Sequence, residues 1–250
     1  MAPSEPGMVR VSGVAPGGGR RSGAQVSFAP MDLFLLIPVL LASIVVHEVA
    51  HAWQARREGD DTAASLGRIT LNPLPHIDLF GSVIVPLLLW FGNAGILFGW
   101  AKPVPVVPSN FRDYKWGDIR VSLAGIVSNL ILAVLCTFVM LATVKAGAVL
   151  GSDGGLGHGI QAAQRMAYYG LYINLILAFF NLVPIPPLDG SHVVYHMLPE
   201  RLAEGYRRVG RYGLLVLMGL VFLVPQFFSV ILWPVDAAMG LADSFIRLWI

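Results

Sequence analysis

One cysteine, Cys136, is all that the chain contains. An internal disulfide and any metal site built from clustered cysteines are therefore excluded, and within "LILAVLCTFVML" this residue reads as a small apolar filler. Charge is scarce too, at 13% of the 250 residues. The 17 Lys and Arg are scattered through short segments rather than gathered on a face with interleaved aromatics, so nucleic-acid binding has no support. Long polar stretches are also missing beyond the first thirty residues. The longest, at about 199–211, leaves no room for a second soluble domain. Residues 1–30, rich in Gly, Pro, Ser and Arg and without an apolar run that would suit a signal peptide, read as a disordered tail.

What remains is apolar. Hydrophobic residues make up 56% of the chain and the mean hydropathy is +0.68, a balance typical of integral membrane proteins. About 20 apolar residues span the hydrocarbon core, and four segments qualify: 33–55, 119–143, 166–182 and 212–235. Pro225 is expected to kink the fourth without ending it. The tail at 236–250 carries Asp236, Asp243 and Arg247 at helical spacing and reads as an amphipathic interfacial helix. Residues 81–100 are ambiguous. They form one crossing helix or, with "GNAG" as a turn, a re-entrant hairpin. The positive-inside rule does not choose, because both readings leave equal numbers of basic residues on one face. The expected fold is an all-α polytopic membrane protein with four full transmembrane helices, a re-entrant or fifth membrane segment, and a small β-like element at 67–71 ("GRITL").

Chemistry enters directly after "LFLLIPVLLASIVV", where "HEVAH" begins. Positions i and i+4 of a helix share a face, so His47 and His51 converge on one metal ion while Glu48 is within reach of a water there as general base. Arg56 and Arg57 mark the polar end of this helix, which puts His51 about 8 Å and His47 about 14 Å inside it. Ionisable groups at that depth are costly and point to function. Against this stands a plainer alternative, three polar side chains pairing within a helical bundle.

A catalytic zinc takes three protein ligands, and "FFNLVPIPPLDGSHVV" offers Asp189 as the third. Pro184, Pro186 and Pro187 stop the preceding helix, and Gly190 permits a tight turn that aims the carboxylate back at the bundle. Taken alone, Asp189 is equally a turn residue.

H-E-x-x-H in a membrane helix, Gly125-x-x-x-Asn129, and Asn181-x-x-Pro184-x-Pro186-x-Leu188-Asp189-Gly190, in that order, resemble the site-2 protease family of intramembrane zinc metalloproteases. The likeness covers about 33–196 and is strongest to its minimal members. "GRITLNPLPHIDLFGS" and "FGWAKPVPV" also look like segments of that subgroup, and there is no room for a PDZ or nucleotide-sensing domain. One departure is Ile126, where many members carry Pro. The resemblance implies one Zn2+ per chain held by His47, His51 and Asp189, with Glu48 activating the water. It makes 31–235 the intramembrane metalloprotease domain, acting on a transmembrane protein substrate within the lipid bilayer. It also favours re-entry at 81–100, since Asp189 must emerge on the same side as the histidines, toward the Arg-rich cytoplasmic face of a bacterial plasma membrane.

An oxyanion needs a neutral donor inside a membrane. Asn129 is the first candidate, followed by Asn174 and Asn181, each equally able to serve as interhelical hydrogen-bond glue. Gly67, Arg68, Ile69, Thr70 and Leu71 offer an edge on which an unwound substrate segment adds as a strand. His76 reads as a surface-loop histidine, His192 and His196 as interface residues, and the glycine loop around His158 as no dinucleotide site. Two rival readings are an inactive family member and a zinc transporter or sensor. The latter needs relay groups beyond His47, where 33–46 is apolar apart from Ser43. A regulatory membrane partner or a homo-oligomer remains open.

Overall fold

The computed structural model describes residues 30–85, 87–88, 101–151 and 154–250. The tail at 1–29 lies outside the described residues, as do 86 and 89–100. The choice between spanning and re-entry at 81–100 therefore falls outside them as well. All regular structure among the described residues is helical.

Helix α1 (Pro30–Glu58) ends with Arg56 and Arg57 in its last turn, where basic side chains complement the helix dipole. The chain then turns at Gly59, whose φ of 115° suits only glycine, and reaches the fully buried Asp60. Burial alone would raise the Asp60 pKa. Hydrogen bonds from Thr62, from the Val107 N–H at 2.7 Å and from Asn110 Nδ2 at 2.9 Å outweigh burial and hold the carboxyl below its ordinary value. Helix α2 (Thr62–Ser65) follows, then an irregular stretch with a 3-10 turn at Leu74–His76 and a π-helical turn at Leu79–Ile84. Residues 68–70 within "GRITL" are irregular, and no strand pairs with them among the described residues.

Helix α3 (Tyr114–Leu150) is capped by the Asp113 carboxylate, which accepts the Trp116 N–H at 3.0 Å. Its length, about 55 Å at 1.5 Å per residue, lets it cross a core of about 30 Å and still carry polar N-terminal turns beyond it. Those turns meet the polar end of α1, where Arg120 grips Glu58 through two 2.8 Å hydrogen bonds. Helix α4 (Gly154–Asn181) completes a bundle with α1 and α3. A Pro-rich turn leads to α5 (Gly190–Met197), then α6 (Glu200–Gly210), α7 (Gly213–Leu223) and α8 (Pro225–Arg247).

Among the described residues, three helices are long and apolar enough to cross a membrane: Phe34–Glu58, Tyr114–Leu150 and Ser229–Arg247. The first two answer the expectations at 33–55 and 119–143. The third expected span, 166–182, is the second half of α4, whose hydropathy is lowered by Gln164, Arg165, Asn174 and Asn181. The fourth, 212–235, is broken rather than kinked. Val224 is non-helical (φ −122°, ψ 85°) and Pro225 opens α8. A residue before proline is driven out of the helical region, and proline is well placed where no N–H is needed. Helix α8 then continues without interruption through 236–247, which the sequence suggested as a separate amphipathic helix.

Within its largely apolar interior the bundle hides a polar seam, and its outer face is apolar. Ile131, Val134 and Phe138 on α3 are more than half exposed, whereas Ser43, His47, Asn129 and Asn174 are buried. Hydrocarbon tolerates such an outer face, and the polar groups gain by hiding from it. Cys136 packs against Gly170 in the α3–α4 contact, as a small filler should.

Candidate metal centre

On α1, His47 and His51 stand one turn apart with their rings edge to face, and their Nε2 atoms are 3.0 Å apart. Asp189 Oδ2 lies 3.3 Å from each Nε2. Four-coordinate zinc with bonds of about 2.0–2.1 Å holds neighbouring donors about 3.3 Å apart, so the triangle has the size of one face of such a site. Asp189 Oδ2 is buried without a hydrogen-bond donor. Three donors that converge and do not satisfy one another fit a cation, and His47, His51 and Asp189 form the metal-binding group found among the described residues.

The ring orientations are fixed from behind by α3. His47 Nδ1–H donates to Asn129 Oδ1 at 2.5 Å, and His51 Nδ1–H donates to the Val121 carbonyl at 2.7 Å. Both acceptors are carbonyl oxygens, so each ring carries its proton on Nδ1 and turns the Nε2 lone pair to the centre. The Asn129 amide orientation follows from its neighbours. Its Nδ2 donates to Asn174 Oδ1 at 2.7 Å, and Asn174 Nδ2 donates to Ser43 Oγ at 2.9 Å and to the Gly170 carbonyl at 2.8 Å. Among the described residues the network ends at Ser43, whose hydroxyl donates back to Val39 O within α1.

Between those two hydrogen bonds, α3 passes directly over the rings at Gly125. A Cβ there would touch His51 Nε2 and lie 2.6 Å from His47 Cε1 and 2.7 Å from His51 Cε1. Gly190 has a matching role beside Asp189. Its Cβ would lie 2.5 Å from the Leu182 carbonyl carbon, so only glycine lets the Pro-rich turn close behind the carboxylate.

Glu48 is placed from a different direction. Its Oε2 accepts the Val104 N–H at 2.8 Å. Residues 101–107 form a strap held at both ends: Lys102 N–H donates to His76 O, and Val107 N–H to Asp60. Arg68 braces it through the carbonyls of Lys102 (3.0 Å) and Pro103 (3.3 Å).

Residues 146–224, which include Asp189, match the model of peptidase family M50. Over 228 residues the chain is 35% identical to "Putative zinc metalloprotease YwhC" of Bacillus subtilis, covering 88% of this chain and 96% of that one. The chain belongs to peptidase family M50, the site-2 protease family. Further relatives are "Putative zinc metalloprotease Rip2" of Mycolicibacterium smegmatis (28% identity, 81% of this chain, 73% of that one) and "Putative zinc metalloprotease MJ0611" of Methanocaldococcus jannaschii (31%, 40% and 46%). No solved structure matches. Membership makes the chain a zinc metalloprotease with membrane helices, and Zn2+ its metal.

The other expected M50 site residues sit at varying distances from this centre. Asn129 and Asn174 are engaged in the network behind His47. Asn181 ends α4 half-buried, its Nδ2 donating to Leu177 O at 2.9 Å. Residues 67–71 adjoin the strap over Glu48, with Leu71 69% exposed. His76 is not a surface histidine. It is 2% exposed, and its Nε2–H donates to Thr70 O at 3.0 Å beneath the strap. His158 is exposed at the start of α4.

His192 and His196 bind no second metal group among the described residues. Both donate to Asp118 of α3, which also raises the His192 pKa above its ordinary value through that hydrogen bond. Sequence reasoning missed Asp118 and the Val121 carbonyl. The available signal was spacing: 118, 121, 125 and 129 follow at intervals of three and four, one face of a helix.

Proposed function

We propose that the chain is an intramembrane zinc endopeptidase that cleaves peptide bonds within or beside transmembrane segments of membrane proteins. The observation that carries this reading is the His47–His51–Asp189 triangle inside a bundle with an apolar exterior, one residue from a carboxylate held by the Val104 N–H. Bound zinc supplies a Lewis acid that polarises the scissile carbonyl and acidifies a water. His47, His51 and Asp189 hold it, and Asn129 and the Val121 carbonyl keep both imidazoles in the ligating tautomer. Glu48, steadied at Oε2, takes the proton of the attacking water at Oε1 and passes it to the leaving amine nitrogen. Asn129 and Asn174 each direct Nδ2 at two acceptors within the bundle, whereas Asn181 gives one N–H to Leu177 O and keeps the second for the developing oxyanion.

An unwound substrate segment adds along 67–71, which borders the strap over Glu48. The basic residues at the ends of α1 and α3 support an active site toward the cytoplasmic side, and relatives from bacteria support the bacterial plasma membrane. The transporter reading loses ground, since the polar network behind His47 closes on Ser43.

The test is cleavage of a single-span membrane protein by the purified chain in liposomes. Cleavage that stops on chelation and returns with one equivalent of zinc supports the reading. A chain holding one zinc that cuts none of a panel of such substrates contradicts it. Disulfide trapping from positions 67–71 to the substrate tests the docking edge, and absence of any cross-link in a Glu48→Gln background counts against it.

A further inference from the structure

Asp189 is the ligand with the least local support. It stands between a Pro-rich turn and α5, a helix of only eight residues. Helices that short do not hold themselves in water, so the position of Asp189 depends on what fixes α5.

Leu188 packs on Leu217 just before Asp189, and on the other side the fixture is a buried carboxylate on α3. Asp118 is 6% exposed, and its Oδ2 accepts His196 Nε2–H at 2.7 Å and His192 Nδ1–H at 3.1 Å, with Oδ1 3.2 Å from the same His192 nitrogen. His192 and His196 are i and i+4 on α5, so one carboxylate grips a whole turn of the helix that begins directly after Asp189. The His196 side chain is 5% exposed and that of His192 47%, so the His196 contact is the buried half of the grip. Asp118 lies one turn before Val121, on the α3 face that orients His51 through the Val121 carbonyl and His47 through Asn129.

We infer that Asp118 is a positioning residue for zinc: by clamping His192 and His196 it sets the register of Asp189 against the two histidines, so that one face of α3 aligns all three ligands. This rests on the zinc reading of the centre. It adds a carboxylate that contacts neither metal nor substrate and acts through the third ligand.

A double-mutant cycle on the full chain in detergent tests it, with zinc affinity read by chelator competition at a temperature where the metal-free proteins are folded. Asp118→Ala is expected to weaken zinc binding by about 10–100-fold in the wild-type background, the usual effect of losing an outer-shell partner. In an Asp189→Ala background it is expected to change affinity little, because the ligand it positions is gone. Asp118→Asn keeps one acceptor and should fall between, covering the case in which the alanine variant folds poorly. Cobalt(II) substituted into Asp118→Ala should give a spectrum shifted toward that of Asp189→Ala. Equal losses in both backgrounds, or none in either, overturn the clamp. Failure of the underlying reading shows separately, in the parent pair: a wild type that binds no zinc, or that loses nothing on Asp189→Ala, removes the ligand set itself.

Discussion

Replacing Gly125 with alanine puts one methyl group between α3 and the imidazoles of His47 and His51. The added carbon would lie 2.6 Å from His47 Cε1 and 2.7 Å from His51 Cε1, where ordinary contact begins at 3.4 Å. One or both rings must therefore retreat by about 0.8 Å, or α3 must lift by as much, because the contact potential is steeply repulsive at that range. Neither ring is free to move, since Asn129 and the Val121 carbonyl hold their far nitrogens at 2.5 and 2.7 Å. Overpacking of this kind costs about 1–3 kcal/mol of stability, and misplacing reacting groups by about 1 Å costs about 100-fold in rate. Gly125→Ala should thus fold, hold zinc more weakly than wild type, and cleave about 100-fold more slowly. Metal content, chelator competition and initial rates on a single-span substrate measure the three quantities. A Gly125→Ala enzyme with wild-type zinc affinity and rate would refute the placement of α3 over the histidines.

Other expectations follow from the same geometry. Asn129→Leu, similar in size, removes the acceptor for His47 Nδ1–H and should weaken zinc binding by about 10–100-fold in chelator competition. Val104→Pro deletes the N–H that steadies Glu48 and should lower kcat by about 10-fold or more while zinc content stays at one per chain. Asp60 has a depressed pKa in the folded chain, so its stabilisation is complete above the ordinary carboxylate pKa and is lost as pH falls through the folded value. Thermal melts of wild type should therefore lose stability on acidification to a greater extent than those of Asp60→Asn.

The two candidate ligands on α1 were legible because their signal is local. H-E-x-x-H needs only helical periodicity, whereas Asp189, by itself equally a turn residue, was singled out by the resemblance of its Pro-rich L-D-G segment to the family. Gly125 and Asn129 were visible as a motif, yet what Asn129 does is decided by where α3 crosses α1, which spacing along one helix does not encode. The role of Asp118 was hidden for a related reason: helical spacing places it on the face of Gly125 and Asn129, but its partners, His192 and His196, come more than 70 residues later and meet it only after α5 docks. His76 looked like a surface residue among prolines, and the strap at 101–107 folds over it. The membrane reading held at the level of composition. It was less secure at Pro225, where hydropathy is continuous but the backbone is not, and at α4, whose buried asparagines lower the apolar score of a helix that belongs to the bundle.

The most direct measurement compares wild type with Glu48→Gln for cleavage of a single-span membrane protein in liposomes, with zinc content determined on the same samples. The account predicts one zinc in each and cleavage by wild type alone, at least 100-fold faster than the variant. Equal cleavage by both proteins would contradict the role of Glu48, and absence of zinc from the wild type would contradict the centre itself.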